Sequence, residues 1–112
     1  MTNIIDLELY RTKGSKVFTG RDRGIEVRER SRIDEIEKET NDIITIIIPS
    51  DIRSINPSFL EEFLFNVVSK LKKEGFLKKF LFENESTRYN FDEDLDEAID
   101  CILKRDNSLT RD

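Results

Sequence analysis

The sequence predicts a small α/β domain, a single-layer mixed sheet packed by helices in the order β(β)αβαβα, and three observations carry that reading. The run Ile43 to Pro49, IITIIIP, is β-branched almost throughout and stops at a proline, the pattern of a strand buried on both faces in a helix-covered sheet. Phe59, Leu60, Phe63, Leu64, Val67, Val68 and Leu71 then recur at helical spacing, and a second apolar run is centred on Phe80, Leu81 and Phe82. Strand, helix and strand in that succession form a right-handed βαβ unit. A chain of 112 residues has room for one core, since at this size folding buries only ~65% of the unfolded surface. Residues 1–105 are expected to form that domain and residues 106–112 a frayed tail.

The elements follow in order. Ile5, Leu7 and Leu9 alternate with Asp6, Glu8 and Tyr10, the period of a half-buried strand over Asn3 to Tyr10. Gly14-Ser15 signals a turn, after which Val17-Phe18 is expected to return as a short hairpin strand. From Thr19 the chain is rich in helix formers, with Thr19 and Asp22 as one start and Ser31 with Asp34-Glu35 as a second, so a break near the middle is expected. Asn56 caps the next helix, Pro57 takes its first position and Gly75 ends it. Lys78 to Asn84 is the following strand. Asn90 caps a last helix whose Phe91, Leu95, Ala98, Ile99, Ile102 and Leu103 make one stripe, with acids in the first turn and Lys104-Arg105 at the end, matching the macrodipole.

Composition excludes several chemistries. The chain carries 38% charged residues, a net charge of −5 and no histidine, which removes imidazole bases, Ser-His-Asp and Cys-His sites and histidine metal ligands. Cys101 is the lone cysteine and falls on the apolar stripe of the last helix, where it reads as packing. No apolar run approaches the ~18 residues of a membrane helix, and the start MTNIIDLELYRTKG lacks a signal-peptide pattern, so a cytoplasmic protein with no membrane association is expected. There is no glycine-rich phosphate loop, and the acids Asp92, Glu93, Asp94, Asp96, Glu97 and Asp100 lack the glycine and the distant glutamate of a calcium loop. No catalytic residue, metal or cofactor is therefore expected.

Two constellations remain. In the segment Pro49 to Phe63, Ser58 occupies the first turn of the best-marked helix, where free amides and the dipole favour a phosphate, although Asn56, Pro57 and Ser58 also make a good helix start and nothing more. Residues 11 to 32 hold eight basic residues against three acidic ones, a net of +5 that leaves −10 for the rest of the chain. Arg21, Arg23 and Arg28 around Gly20 and Gly24 are candidates to hold a phosphate-bearing ligand or nucleotide, the other reading being a solvated helix face with ion pairs such as Glu26 to Arg30. No aromatic is interleaved to stack bases, and a net-acidic chain repels nucleic acid.

The run IIIPSDIRSINPSFLEEF, residues 46–63, resembles the strand-loop-helix of STAS domains, the fold of anti-sigma factor antagonists, and resembles still more the STAS-like bacterial family DUF4325. Ser58, Phe59 and Glu62 stand at the positions of that family's Ser-Phe-x-x-Glu helix start, and FTGRDRGIEVR, Phe18 to Arg28, is similar to the opening of its first helix. The resemblance covers roughly residues 15–105. It implies a non-catalytic regulatory or docking domain of a bacterial signalling system, whose protein partner in the true antagonists is a histidine-kinase-like ATPase. Ser58 is the phospho-acceptor that it implies, and Ile52, Arg53, Asn56, Phe59 and Glu62 are its expected partner contacts. Antagonists have an acidic residue before the serine and a small one after, where this chain has Asn56-Pro57 and Phe59. The apolar excess on the 57–71 helix places Phe65 off its main stripe, and an exposed Phe65 would mark a homodimer or partner patch.

Overall fold

In the computed structural model, which describes residues 3–86 and 89–110, with side chains to residue 106, the first strand is cut short by its own acid. Strand β1 covers only Ile4–Asp6. The Asp6 carboxylate accepts from the Glu8 amide at 3.0 Å and turns Leu7–Tyr10 into a 3₁₀ helix. Leu7 stays buried, but Leu9, expected on the same inward face, points to solvent. With the chain redirected, β2 (Val17–Phe18) cannot return along β1. It pairs in parallel with β4 (Ser54–Ile55), so the expected hairpin is replaced by a separate two-stranded sheet.

Helix α1 (Arg21–Ser31) follows Gly20, whose φ of 96° turns the chain into the helix without help from Thr19. The expected break falls at Arg32, in the left-handed region, and α2 covers Ile33–Glu39. Ser31 is no cap, since its hydroxyl donates back to the Arg28 carbonyl at 3.4 Å. Strand β3 (Ile44–Ile48) leads through β4 to α3 (Pro57–Phe63), which Asn56 caps as expected. The chain breaks at Leu64, and α4 (Phe65–Lys79) runs directly into β5 (Phe80–Asn84). Gly75 therefore does not end the helix. The distortion falls at Lys72, with φ 63° and ψ 177°, a conformation normally reserved for glycine. Lys72→Gly is expected to raise stability by about 1 kcal/mol, with relief of strain outweighing the lost ion pair to Asp106 and the extra entropy of the unfolded chain. A lower melting temperature for this variant would overturn that account.

Asn90 accepts from the Asp92 amide at 3.1 Å and starts α5 (Phe91–Thr110), which continues past the end expected at residue 105. Its stripe, Phe91, Leu95, Ala98, Ile99 and Ile102, is buried against α3 and α4. Aromatic pairs fill the core: Phe59 lies 5.1 Å from Phe18 and 5.8 Å from Phe63 between ring centres, Phe76 stacks on Phe80 at 4.8 Å, and Phe82 meets Phe91 at 4.7 Å. Phe65 is neither open nor fully enclosed. It is half-buried, with the Arg105 guanidinium 4.7 Å over its ring. Among the described residues, no helix is long and apolar enough to cross a membrane.

The main sheet has the order β1-β3-β5, parallel throughout, with Ile4, Thr45 and Leu81 in one row and Asp6, Ile47 and Glu83 two residues further along. Parallel crossovers are right-handed, and when strands are added in a single direction each crossover lands on the same side. Ile5, Ile44, Ile46, Ile48 and Phe80 accordingly face the helices and are buried. The expectation that β3 is covered on both faces is corrected: Thr45 and Ile47, on its other face, are only half-buried. The α/β class stands, with its strands parallel and divided between two small sheets.

Candidate functional site

The edge that the β3–α3 connection builds is held by two clamps. Arg11 and Asp51 form a two-pronged pair, Nη1 to Oδ1 at 2.7 Å and Nη2 to Oδ2 at 3.1 Å, and Arg11 also reaches Glu8 at 2.9 Å and the Ser15 carbonyl through Nε at 3.1 Å. The hydrogen bond from Arg11 holds the Asp51 carboxyl below its ordinary pKa. On the other side, the Tyr89 hydroxyl donates to Asp94 and lies 3.1 Å from the Ile55 carbonyl, while the Ser86 hydroxyl donates to the Ile52 carbonyl at 3.0 Å. Burial, then the Asp94 carboxylate, pushes the Tyr89 phenol well above its ordinary pKa, so it remains a donor at any physiological pH.

Between the clamps, Asn56 Oδ1 accepts from both the Ser58 amide and the Ser58 hydroxyl, each at 2.8 Å. Arg53, Ser54 and Asn56 are exposed and Ser58 is half-exposed in the first turn of α3. Three of the expected contact residues lie elsewhere. Ile52, Phe59 and Glu62 are buried, because a helix start that presents Ser58 outward turns the positions one and four residues later toward α1 and α5. They support the edge from beneath and offer a partner no surface.

The buried Glu61 and Glu62 pair with two half-exposed arginines. Arg21 Nη1 reaches Glu61 at 3.2 Å and Glu62 at 3.1 Å, and Arg105 Nη1 reaches Glu62 at 3.0 Å and Glu61 at 3.7 Å. Arg28 donates to the Glu62 carbonyl at 2.7 Å. Arg23 turns away to Glu26 at 2.8 Å and the Tyr10 carbonyl at 2.6 Å. The three arginines are thus not gathered into one phosphate clamp, and each already holds an internal acceptor. Gly24 lets α1 approach α3 this closely, since a Cβ there would stand 2.4 Å from the Phe59 carbonyl oxygen.

Sequence reasoning missed the Arg11–Asp51 clamp and the role of Arg105. Forty or more residues separate Arg11 from Asp51 and Arg105 from Glu61 and Glu62, and no local pattern announces such a pair. Cys101 is half-buried and burial pushes its thiol up, which agrees with packing. Among the described residues, no group of histidine, cysteine, aspartate or glutamate side chains is placed to hold a metal ion. Among the described residues the main sheet runs β1-β3-β5 with no reversal of strand order, the kind of switch point at which open α/β sheets bind small ligands. Comparison with protein-family models, with curated proteins and with solved structures finds no match to this chain.

Proposed function

We propose that this chain is a non-catalytic, STAS-like regulatory domain of a cytoplasmic bacterial signalling system that docks a protein partner through Arg53, Ser54, Asn56 and Ser58. A histidine-kinase-like ATPase is the first partner to try. The observation that carries the reading is the Ser58 hydroxyl, held at the surface by Asn56 in the first turn of α3, beyond the carboxyl end of β3. A phosphoryl group there would place negative charge at the positive end of α3, whose Ser58, Phe59 and Leu60 amides are already held by Asn56. The strand-loop-helix resemblance over residues 46–63 supports the same edge. Binding a phosphate-bearing ligand at Arg21, Arg23 and Arg28 would instead require those side chains to release Glu61, Glu62, Glu26 and two carbonyls. No feature of the site favours that second reading.

Affinity capture from host lysate with the wild type, Arg53→Glu and Ser58→Glu tests the proposal. An ATPase-fold protein is expected on the wild type and is expected to fall at least about tenfold on each variant, because reversing the Arg53 charge or setting a carboxylate at position 58 costs a docked interface at least ~1.4 kcal/mol. Equal capture by all three proteins, or no ATPase-fold protein on the wild type, would overturn it.

A further inference from the structure

The structure sorts the basic run of residues 11–32 into two groups. Arg11, Arg21, Arg23, Arg28 and Arg30 each hold an acidic side chain or a carbonyl of this chain, whereas Lys13 and Lys16 are exposed and form no ion pair among the described residues. Both lysines line a depression with Arg11 and Asp51, just past the carboxyl ends of β1 and β3. Arg53 joins them. Its amide donates to the Lys16 carbonyl at 2.7 Å, and the parallel register of Val17 with Ser54 sets Lys16 opposite Arg53 one step earlier. Arg53 is likewise exposed and without an ion pair among the described residues. Like charges opposite one another destabilise strand pairing, and neighbouring strands lie only about 4.8 Å apart. The local acids do not relieve this pair. Asp51, whose charge reaches Lys16, gives both carboxylate oxygens to Arg11, and the same guanidinium holds Glu8. Lys16 and Arg53 are thus a local conflict with no internal compensation, of the kind that proteins keep at functional sites.

We infer that Lys13, Lys16 and Arg53 form a docking surface for an acidic segment of a protein partner. Charge complementarity selects the occupant. With Arg11, Glu8 and Asp51 included, the patch holds four bases against two acids, on a chain whose net charge is −5. At physiological ionic strength exposed charges are screened beyond ~8 Å, so an approaching carboxylate meets this patch and not the acids elsewhere on the chain. A nucleic acid is a poorer match, because neither 11–17 nor 50–56 offers an aromatic ring on which a base could stack. The inference rests on the docking reading, to which Arg53 already belongs, and adds the chemistry of what docks there.

Titration of a hexaglutamate peptide into the isotope-labelled chain, followed by amide chemical shifts at about 150 mM salt, is the test. Shifts centred on residues 11–17 and 51–56 are expected, with a dissociation constant of about 1 mM or below. Lys16→Glu and Arg53→Glu are each expected to weaken binding at least about fivefold, and Lys78→Glu, exposed ahead of β5 at the opposite end of the sheet, to leave it within about twofold of wild type. Lys16→Glu also turns a like-charge pair across β2 and β4 into an opposite-charge pair, so its melting temperature is expected to equal or exceed that of the wild type, which separates lost binding from lost folding. No shifts with about 10 mM peptide, unchanged binding by Lys16→Glu or Arg53→Glu, a lower melting temperature for Lys16→Glu, or tighter binding of an oligouridylate of equal charge would each overturn the inference. The titration needs no partner from the lysate, so it and the ATPase capture can fail separately.

Discussion

Replacing Gly24 with alanine is expected to cost about 3 kcal/mol or more and to lower the melting temperature by at least about 12 °C. The added methyl would stand 2.4 Å from the Phe59 carbonyl oxygen, 2.9 Å from Glu62 Cβ and 3.2 Å from the Phe63 amide nitrogen, so two backbone atoms would have to move. Moving them separates α1 from α3 and strains the Arg21 and Arg28 contacts that cross the same seam. Gly20→Ala is the control. A Cβ there meets nothing within 4 Å, and the penalty comes only from a φ of 96°, about 1 to 2 kcal/mol. Equal melting temperatures for the two variants would show that the seam yields and that the close approach is not what requires glycine.

Glu37→Gln is the second large effect. The Glu37 carboxylate is buried, with Lys70 Nζ at 2.7 Å and Lys79 Nζ at 2.9 Å, and its carbonyl accepts from Lys79 as well at 2.8 Å. Burial alone would raise the carboxyl's pKa, but the hydrogen bonds and charges of the two lysines outweigh it and hold the group below its ordinary value of 4.5. The neutral amide keeps the shape and leaves Lys79 without its counter-charge, at a cost of about 3 kcal/mol, the low end for a broken buried pair because Lys70 is half in water. The sign of the pH dependence follows from the lowered value. Below pH 4.5 the unfolded chain takes up this proton before the folded one does, so the stabilisation is complete above that pH and is lost as the pH falls through the folded value. Urea titrations of both proteins should show a constant gap from about pH 5 to 8 and a narrowing gap toward about pH 3. A gap that does not change with pH would mean that the loss is one of packing rather than of charge.

Local chemistry was readable wherever a short pattern dictates it. The IITIIIP strand, the Asn56-Pro57 helix start and the α5 stripe all lie where their periods and caps place them. Strand order is not such a pattern. The run Ile44–Ile48 has the composition of a doubly covered strand, and only the succession β1-β3-β5 shows that the crossovers share a side. Glycine misled at Gly75, which sits inside α4, while Lys72 takes the conformation that a glycine would have made easy. Within the candidate site, Asn56 and Ser58 were legible as a cap and a first-turn hydroxyl. The burial of Ile52, Phe59 and Glu62 was not, because the same turn serves the surface on one side and the core on the other.

Helix α5 has a consequence for how this protein is made. Phe91, Leu95, Ala98, Ile99 and Ile102 close the core against α3 and α4, and Arg105 completes the shell around Glu61 and Glu62. During synthesis the earlier strands and helices therefore leave the ribosome with Phe59, Phe63 and Phe82 still lacking their last neighbours. The nascent chain has no closed core until α5 has emerged, and in that interval these rings are exposed to aggregation.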